Sequence, residues 1–330
     1  MPIPPRSALL DSGDPGFVLP VCDHYSGVET RMRKSLEIQR ELGPVFDVTL
    51  DCEDGAPVGG EAEHARLVAE LICSPQNEFG RVGARVHPVD HPAFAQDLET
   101  LISVAGARVA YIMVPKAGDA ADVERACALI DHEIRVLPPG RYFPIHVLVE
   151  THGALREVDA IAAHPRVQSI SFGLMDFVSA HRGAIPAAGM SAEGQFEHPL
   201  VRRAKLEIAA ACHARGKVPS HSVVTEFKDL ARLEAAATRA AREFGFTRMW
   251  SIHPDQIRPI VAAFSPAPGE AEEALEILLK AQAADWAPIR HKDTLHDRAS
   301  YRYYWYLLQR AHATRHLPAG ADAFFEETKP

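Results

Sequence analysis

The sequence lacks the cysteine arrangements that build disulfide scaffolds and zinc sites. Its five cysteines, spread over 330 residues, are widely scattered, and no two form a C-x-x-C pair. An odd and scattered set of this kind indicates buried, reduced thiols in a cytosolic protein. The 17 histidines contain no H-E-x-x-H motif, so their spacing gives no support to a zinc site.

Long apolar runs and runs of basic residues are also absent. No stretch of about 18 apolar residues occurs, which argues against a membrane span. The opening MPIPPRSALLDS has no basic segment followed by an apolar one, so we expect no signal peptide. The net charge is −9 without any Lys/Arg-rich run, which makes nucleic acids and anionic membranes poor partners. We therefore expect a cytoplasmic protein that binds small molecules.

What the sequence does contain is an alternation of short apolar runs with longer amphipathic stretches. The first kind predicts strands and the second predicts helices. The predicted strands cover residues 16–22, 45–51, 82–87, 109–115, 145–150, 167–173, 218–224 and 248–253. Eight strands separated by helices predict an α/β fold with a closed parallel sheet, the TIM (β/α)₈ barrel. An open doubly wound sheet is the alternative, but no G-x-G-x-x-G follows the first strand.

Three segments lie outside this repeat. The first 15 residues are rich in proline, and residues 174–199 form a long connection after the sixth strand. Connections of that length are often functional. Two further helices are predicted after residue 264, the second with a tyrosine-rich run at 301–306. We expect residues 1–264 to form the catalytic barrel and residues 265–330 a helical C-terminal extension that serves as a lid or a subunit contact.

Charged residues follow the predicted strands where barrels of this type carry their active sites. The C-terminal strand ends meet at one rim of a TIM barrel. Charged side chains at the ends of apolar strands are costly unless they are paired or bind an ion. The residues in question are Asp51, Glu53, Asp54, Arg85, Lys116, Glu150, Asp176 and His253.

Two of these acids suggest a magnesium site. Glu150 and Asp176 come from neighbouring strand ends, and Mg²⁺ takes one or two protein carboxylates while keeping several waters. The open positions would hold two oxygens of a 2-oxo acid, whose carboxylate the guanidinium of Arg85 can bind bidentately. Simpler interpretations stay open, with Glu150 as a solvated or capping residue, Asp54 as a turn former before Gly55, and Lys116 as a partner of an acid. For His253 we favour a structural role.

Six segments in chain order carry a family resemblance. They are FDVTLDCEDGAP at 46–57, GARVHP at 83–88, VPKAGDAADVERA at 114–126, VLVET at 147–151, FGLMD at 172–176 and FGFTRMWSIHPDQI at 244–257. Together they resemble the superfamily of citrate lyase β-subunits, malyl-CoA lyases and class II hydroxy-oxo-acid aldolases. Each segment alone is short, but all six lie in order at the strand ends chosen above.

The resemblance implies roles for individual residues. Glu150 and Asp176 match the family's Mg²⁺ ligands, with Mn²⁺ as an alternative ion. Arg85 matches the arginine that holds the carboxylate of the 2-oxo acid, and Lys116 lies in the matching P-K segment as a second substrate-binding residue. Asp297, within LHDRASYRYYW at 295–305, matches an aspartate that reaches a neighbouring subunit's active site.

The acids after the second strand match the family's catalytic cluster. They are Asp51, Glu53 and Asp54, of which Asp54 falls where some aldolases carry a catalytic histidine. Three departures accompany the match: PVCD at 20–23 replaces the P-G after the first strand, His87 replaces an asparagine, and HAR at 64–66 lacks the lysine of K-x-x-A-R. In CoA-using members the first loop and its flanks cradle CoA. These changes do not touch the residues expected to bind the metal and the oxo acid. They leave open whether the substrate is a CoA thioester.

The sequence therefore predicts a Mg²⁺-dependent carbon–carbon lyase similar to citrate lyase β-subunits. It would cleave a 3-hydroxyacyl-CoA of the citryl-, malyl- or citramalyl-CoA type into an acyl-CoA and a 2-oxo acid such as oxaloacetate. One alternative is a class II aldolase that converts a free 4-hydroxy-2-oxo acid to pyruvate and an aldehyde. Another is a diverged subunit that binds metal and oxo acid within a larger complex. The resemblance also implies a homotrimer or homohexamer.

Overall fold

The computed structural model of the protein describes residues 3–11 and 19–325, and its longest sheet closes into a barrel. Each strand pairs in parallel with the next, and the first pairs with the eighth to complete the ring. The strands are β1 (Cys22–Ser26), β2 (Phe46–Asp51), β3 (Val82–Arg85), β4 (Ile112–Val114), β5 (Ile145–Val149), β6 (Val167–Phe172), β7 (Val218–His221) and β8 (Arg248–Ser251). The predicted TIM barrel is confirmed.

Helices between the strands cover the outside of the barrel, and further helices precede β1 and follow β8 along the chain. A parallel sheet covered in this way buries both faces of its strands, which explains their nearly continuous burial. The helices are α1 (Pro5–Leu9), α2 (Glu29–Leu42), α3 (Glu61–Cys73), α4 (Phe94–Ala105), α5 (Ala120–Glu133), α6 (His152–Arg156), α7 (Val158–Ala163), α8 (Leu174–Ala180), α9 (Gly194–Glu197), α10 (Pro199–Ala214), α11 (Leu230–Arg242), α12 (Pro254–Phe264), α13 (Pro268–Ala283) and α14 (Arg298–Ala313). Within the described part of the chain, none of them has the length and apolarity that crossing a bilayer demands.

The first predicted strand was placed too early. Residues 16–18 of that prediction lie outside the described residues, and β1 begins only at Cys22, the last predicted residue. The apolar run before Cys22 contains Pro20, which cannot donate to a strand ladder. The true strand contains Asp23 and His24, whose polar groups are bonded inside the barrel, so an apolar-run criterion passes over it. The other seven predicted strands all overlap observed ones.

The N-terminal end of the barrel is filled by a buried ion cluster. Arg248 on β8 lies with its Nη1 2.6 Å from Asp47 Oδ2 and its Nη2 3.1 Å from Asp23 Oδ2. The hydroxyl of Thr49 donates to Asp23 Oδ1 at 2.8 Å, and that of Tyr111 donates to the same oxygen at 3.2 Å. Burial raises the pKa of Asp47, and the charge of Arg248 opposes that rise. Tyr111 also belongs to a buried apolar cluster with Met113, Leu148 and Trp250.

Contacts divide the chain into two compact units, Val21–Ile260 and the described parts of Met1–Pro20 and Val261–Pro330. The second unit contains α1, α13, α14 and a hairpin of β9 (Ile289–His291) and β10 (Thr294–His296), so the predicted helical C-terminal region is confirmed. Tyr301 and Trp305 of the aromatic run are buried in its core, whereas Tyr303 is 59% exposed. The assignment of residues 265–330 as a lid or a subunit contact stays a prediction.

We expect replacement of Arg248 by methionine to destabilise the barrel by about 3–5 kcal/mol, because it leaves buried carboxylates without their central cation. Urea unfolding followed by circular dichroism measures the loss. Arg203→Met is the matched control, since Arg203 forms an exposed pair with Glu207 on α10 that is worth less than about 1 kcal/mol. Equal stability of the two variants would contradict a structural role for the ion cluster.

Candidate active site at the barrel rim

The guanidinium of Arg85 is surrounded by three carboxylates at the C-terminal rim. Arg85 ends β3 and lies beside Asp51, which ends β2. Its Nε and Nη2 are 2.6 and 2.9 Å from the two oxygens of Asp51, its Nη1 is 2.9 Å from Glu53 Oε2, and its Nη2 is 2.7 Å from Asp54 Oδ2. Burial acts to lower the pKa of Arg85, but Asp51 and its neighbours raise it well above the ordinary value. The group therefore stays cationic.

The carboxylate of Asp51 has no free lone pair. Besides its two bonds from Arg85, it accepts bonds from the backbone N–H groups of Glu53 at 3.0 Å and Gly55 at 2.9 Å, and from the hydroxyl of Tyr25. Burial acts to raise the pKa of Asp51, but these bonds hold it below its usual range. A permanently ionised and fully bonded carboxylate is suited to holding Arg85 in place.

Tyr25 is a member of this cluster that the sequence analysis missed. Its hydroxyl donates to Asp51 and accepts a bond from Arg85 Nη2 at 3.0 Å. Its ring lies 4.9 Å from the guanidinium carbon and stacks on Trp250 at 5.8 Å. The residue was overlooked because the first strand had been placed before it. The polar DHYSG segment just ahead of α2 was the signal that could have identified it.

Lys116 joins two groups of acids. Its Nζ lies 2.6 Å from Glu53 Oε1 and 3.9 Å from Asp176 Oδ1, and its backbone N–H donates to Glu150 Oε1 at 2.7 Å. Its φ of 49° is the left-handed conformation that few residues other than glycine adopt. Burial raises the pKa of Glu53, and Lys116 opposes that rise. Of the interpretations left open for Lys116, its position supports a partner of the acids.

Glu150 and Asp176 form the second group. Glu150 follows β5 and is 4% exposed, while Asp176 lies in the first turn of α8 with its side chain 52% exposed. Burial and, after it, the charge of Asp176 raise the pKa of Glu150 to about 8. Gly173 makes room for this side chain, since a Cβ there would lie 2.2 Å from Glu150 Oε2.

The donor set fits a magnesium ion. Glu150 is buried, and burial together with the charge of Asp176 raises its pKa. A divalent cation bound by both carboxylates would reduce the cost of burying a charge and the repulsion between the two acids. No group of three or more His, Cys, Asp or Glu side chains within residues 3–11 and 19–325 has the arrangement of a metal site. An ion held by Glu150 and Asp176 would thus keep positions for water or substrate oxygens, which is typical of Mg²⁺.

Two histidines in or next to the segments that depart from the family pattern anchor the strands of the site. The Nε2 of His64, on α3, lies 2.8 Å from the carbonyl oxygen of Asp51. The Nδ1 of His87 lies 2.7 Å from Asp97 Oδ2, and the backbone N–H of His87 donates to the same oxygen at 2.9 Å. These contacts fix the ends of β2 and β3, so the departures leave the carboxylate cluster in place.

Two further residues named from the sequence are His253 and Asp297. His253 follows β8 and stacks on Phe227 with ring centroids 5.1 Å apart, and its structural role stays a prediction. Asp297 belongs to the second unit, where it is exposed and accepts bonds from the backbone N–H groups of Ala299 at 3.0 Å and Ser300 at 3.4 Å. It caps the N-terminus of α14.

A cavity of about 600 Å³ opens beside the cluster, with Tyr25 in its wall. It lies between the β1–α2 and β8–α12 connections and carries two cationic side chains, Arg31 and Lys34, from α2. The full lining is His24, Tyr25, Ser26, Gly27, Thr30, Arg31, Lys34, Ile252, His253 and Pro254.

Comparison with known proteins adds a family context to this geometry. The model of the HpcH/HpaI aldolase/citrate lyase family matches residues 45–254. An L-malyl-CoA/β-methylmalyl-CoA lyase of Cereibacter sphaeroides is 31% identical over 249 residues, which cover 72% of this chain and 77% of that protein. A (3S)-malyl-CoA thioesterase of C. sphaeroides is 28% identical over 244 residues, covering 73% of this chain and 77% of its own.

Solved structures agree with the fold. A citrate lyase from Burkholderia xenovorans LB400 is 55% identical, with a TM-score of 0.85 over 98% of this chain and 100% of that chain. The CitE protein of Mycobacterium tuberculosis, in complex with magnesium, acetoacetate and coenzyme A, is 21% identical with a TM-score of 0.67, covering 89% of this chain and 99% of its own. At that identity the second likeness shows the fold alone.

We expect Mg²⁺ to raise the melting temperature of the protein, and to do so more at pH 8.5 than at pH 6.5. Glu150, with a pKa of about 8, is mostly protonated at the lower pH and must lose that proton to bind the ion. Differential scanning fluorimetry with and without Mg²⁺ measures the shift. Glu150→Gln should remove the shift at both pH values, and Asp159→Asn, which alters an exposed ion pair, should keep it. A full shift in Glu150→Gln would rule out this site.

Proposed function

We propose that this protein, which belongs to the HpcH/HpaI aldolase/citrate lyase family, is a Mg²⁺-dependent carbon–carbon lyase acting on a 3-hydroxyacyl-CoA. The products would be an acyl-CoA and a 2-oxo acid. The observation that carries the proposal is the convergence at one rim of a buried guanidinium, Arg85, with two carboxylates, Glu150 and Asp176, that suit a divalent ion. The lyase activity of the Cereibacter relative supports the same reaction type.

The oxo-acid half of the substrate would bind between these groups. Glu150 and Asp176 would hold the ion, which when bound supplies Lewis-acid polarisation of a substrate hydroxyl and carboxylate. Arg85 would bind the carboxylate and stabilise the negative charge that develops as the carbon–carbon bond breaks. We infer Mg²⁺ as the ion from the two-carboxylate donor set, and the M. tuberculosis CitE protein, which has the same fold, has been solved with magnesium.

The surroundings of each acid indicate which of them could accept a proton from the substrate. Asp51 has every lone pair engaged, so we infer that it positions Arg85. Glu53 is the better candidate to accept the proton of the substrate hydroxyl, because burial raises its pKa toward the working pH and Lys116 lies 2.6 Å away to steady its charge. Once the bond breaks, the enolate of the acyl-CoA takes up a proton to complete the reaction.

The cavity beside Tyr25 supports a thioester as the other half of the substrate. It is large, adjoins the Arg85 cluster, and has the cations Arg31 and Lys34 at α2, which suit the phosphates of a CoA group. A free hydroxy-oxo acid has no use for such a space, so the cavity favours a lyase over the aldolase alternative. The proposed oligomer, a homotrimer or homohexamer, would bring the exposed Asp297 of one subunit to the site of its neighbour, where it would protonate the enolate.

We expect purified protein with Mg²⁺ to convert at least one of malyl-, methylmalyl-, citramalyl- and citryl-CoA into an acyl-CoA and a 2-oxo acid, as measured by mass spectrometry. EDTA and Glu150→Gln should abolish the conversion. Arg85→Met should lower kcat/KM at least about 100-fold, because a preorganised charge is lost at the reacting group. Arg203→Met serves as the control.

The same assay distinguishes the other activities. Release of free CoA together with an intact hydroxy acid would indicate thioester hydrolysis, as in the thioesterase relative. Cleavage of free 4-hydroxy-2-oxo acids at rates equal to those of the thioesters would indicate an aldolase. Magnesium-dependent pyruvate binding with no turnover of any substrate would point to the subunit of a larger complex.

We expect the double variant Arg31→Gln/Lys34→Gln to raise KM for the CoA thioester about tenfold while kcat changes little. Two cations near a phosphate group contribute about 1 kcal/mol of attraction or more at a protein surface. The N-acetylcysteamine thioester of the same acyl group has no phosphates, so its KM should stay the same. Arg33→Gln, which removes a cation paired with Glu29 on the same helix, is the control. Equal effects on both thioesters would place the CoA group elsewhere.

A further inference from the structure

We propose that the carboxylate of Asp54 is a latch that occupies Arg85 in the free protein and is displaced when the carboxylate of the substrate binds. The inference rests on the proposed function, in which Arg85 holds the carboxylate of the 2-oxo acid. It concerns how that carboxylate gains access to a guanidinium that is already surrounded by acids.

Arg85 has no free edge for a fourth carboxylate. A guanidinium binds a carboxylate bidentately through two parallel N–H groups on one edge. The Nε and Nη2 edge is taken by Asp51, at 2.6 and 2.9 Å. On the other edge, formed by Nη1 and Nη2, Nη2 donates to Asp54 at 2.7 Å, whereas Nη1 lies 2.9 Å from Glu53 Oε2 without an aligned hydrogen bond. A substrate carboxylate can therefore bind bidentately to the Nη1 and Nη2 edge only if Asp54 leaves it.

Burial and bonding single out Asp54 as the acid that leaves. Asp51 is fully buried and holds backbone N–H groups as well as Arg85. Glu53 has only 6% of its side chain exposed and is also bound by Lys116. The side chain of Asp54 is 63% exposed, and among the described residues Arg85 is its one ion-pair partner. Because the Asp54 side of this pair is open to solvent, water can take over the bonds of its carboxylate when a ligand displaces it.

The backbone around Asp54 allows a local exchange. The backbone N–H of Gly55 is tied to Asp51, and Gly55 packs so closely on Gly27 that a Cβ there would lie 2.3 Å from the Gly27 carbonyl oxygen. The loop is thus fixed just after Asp54, and displacement requires only rotation of its side chain. Release of Asp54 also limits the negative charge, because three carboxylates already face the two cations Arg85 and Lys116.

Titration calorimetry with pyruvate as the probe, in the presence of Mg²⁺, tests the latch. We expect Asp54→Asn and Asp54→Ala to bind pyruvate about three- to tenfold more tightly than the wild type, since each removes a competing charge from Arg85. Asp90→Asn, which removes an exposed acid paired with Arg125, should bind like the wild type. Pyruvamide has no carboxylate to compete with Asp54, so its binding should change less than twofold in either Asp54 variant.

The Arg85→Met variant distinguishes failure of the latch from failure of the proposed function on which the latch rests. If Arg85→Met loses pyruvate binding while both Asp54 variants bind no more tightly than the wild type, the latch is wrong, but the proposed binding of the substrate carboxylate by Arg85 stands. If Arg85→Met binds pyruvate as well as the wild type, Arg85 does not bind the carboxylate and the proposed function of this residue is wrong. Tighter binding of pyruvamide equal to that of pyruvate would also overturn the latch, because it would reflect a general opening of the site.

Discussion

The burial of an arginine at the end of β3 is the constraint on which the rim of this barrel depends. A guanidinium that is 6% exposed cannot stay charged without partners, and it cannot be neutralised by losing a proton. Its partners must come from neighbouring strand ends, which explains why β2 ends in acids and why β1 supplies a phenol below the guanidinium. His64 and His87 contact the same strand ends and help to hold them in place.

The barrel contains a second buried arginine, and the contrast between the two separates structure from chemistry. Arg248 and the two acids that it binds, Asp23 and Asp47, are all at most 1% exposed, so no ligand can exchange with them. At the opposite rim, the partners of Arg85 range from the fully buried Asp51 to Asp54 with a side chain that is 63% exposed. The Arg248 cluster is closed to solvent, and the Arg85 cluster is open on the side of Asp54. On that open side, a substrate carboxylate can replace the contact between Asp54 and Arg85.

The sequence predicted the barrel and the acids of the rim because both follow from where apolar runs begin and end. Glu150, Asp51 and Arg85 each interrupt or close a buried strand, and such positions converge in a closed parallel sheet. Tyr25 could not be found in this way, since it lies in a strand whose inward residues are polar. Nor does spacing reveal that Asp51 is saturated by donors while Asp54 is not. That difference depends on loop geometry, which no periodicity encodes.

Lys116 contacts both Glu53 of the Arg85 cluster and Glu150 of the proposed metal site. Its backbone adopts an unfavourable conformation in doing so. Its left-handed φ of 49° is a conformation that a lysine adopts only where its surroundings compensate. Here the compensation is visible: that conformation directs the backbone N–H to Glu150 and the side chain to Glu53. The proposed metal carboxylate and the proposed proton acceptor are therefore held by one residue. Glu53 also lies 2.9 Å from Nη1 of Arg85, so Lys116 links the proposed metal carboxylate to the cluster around the guanidinium.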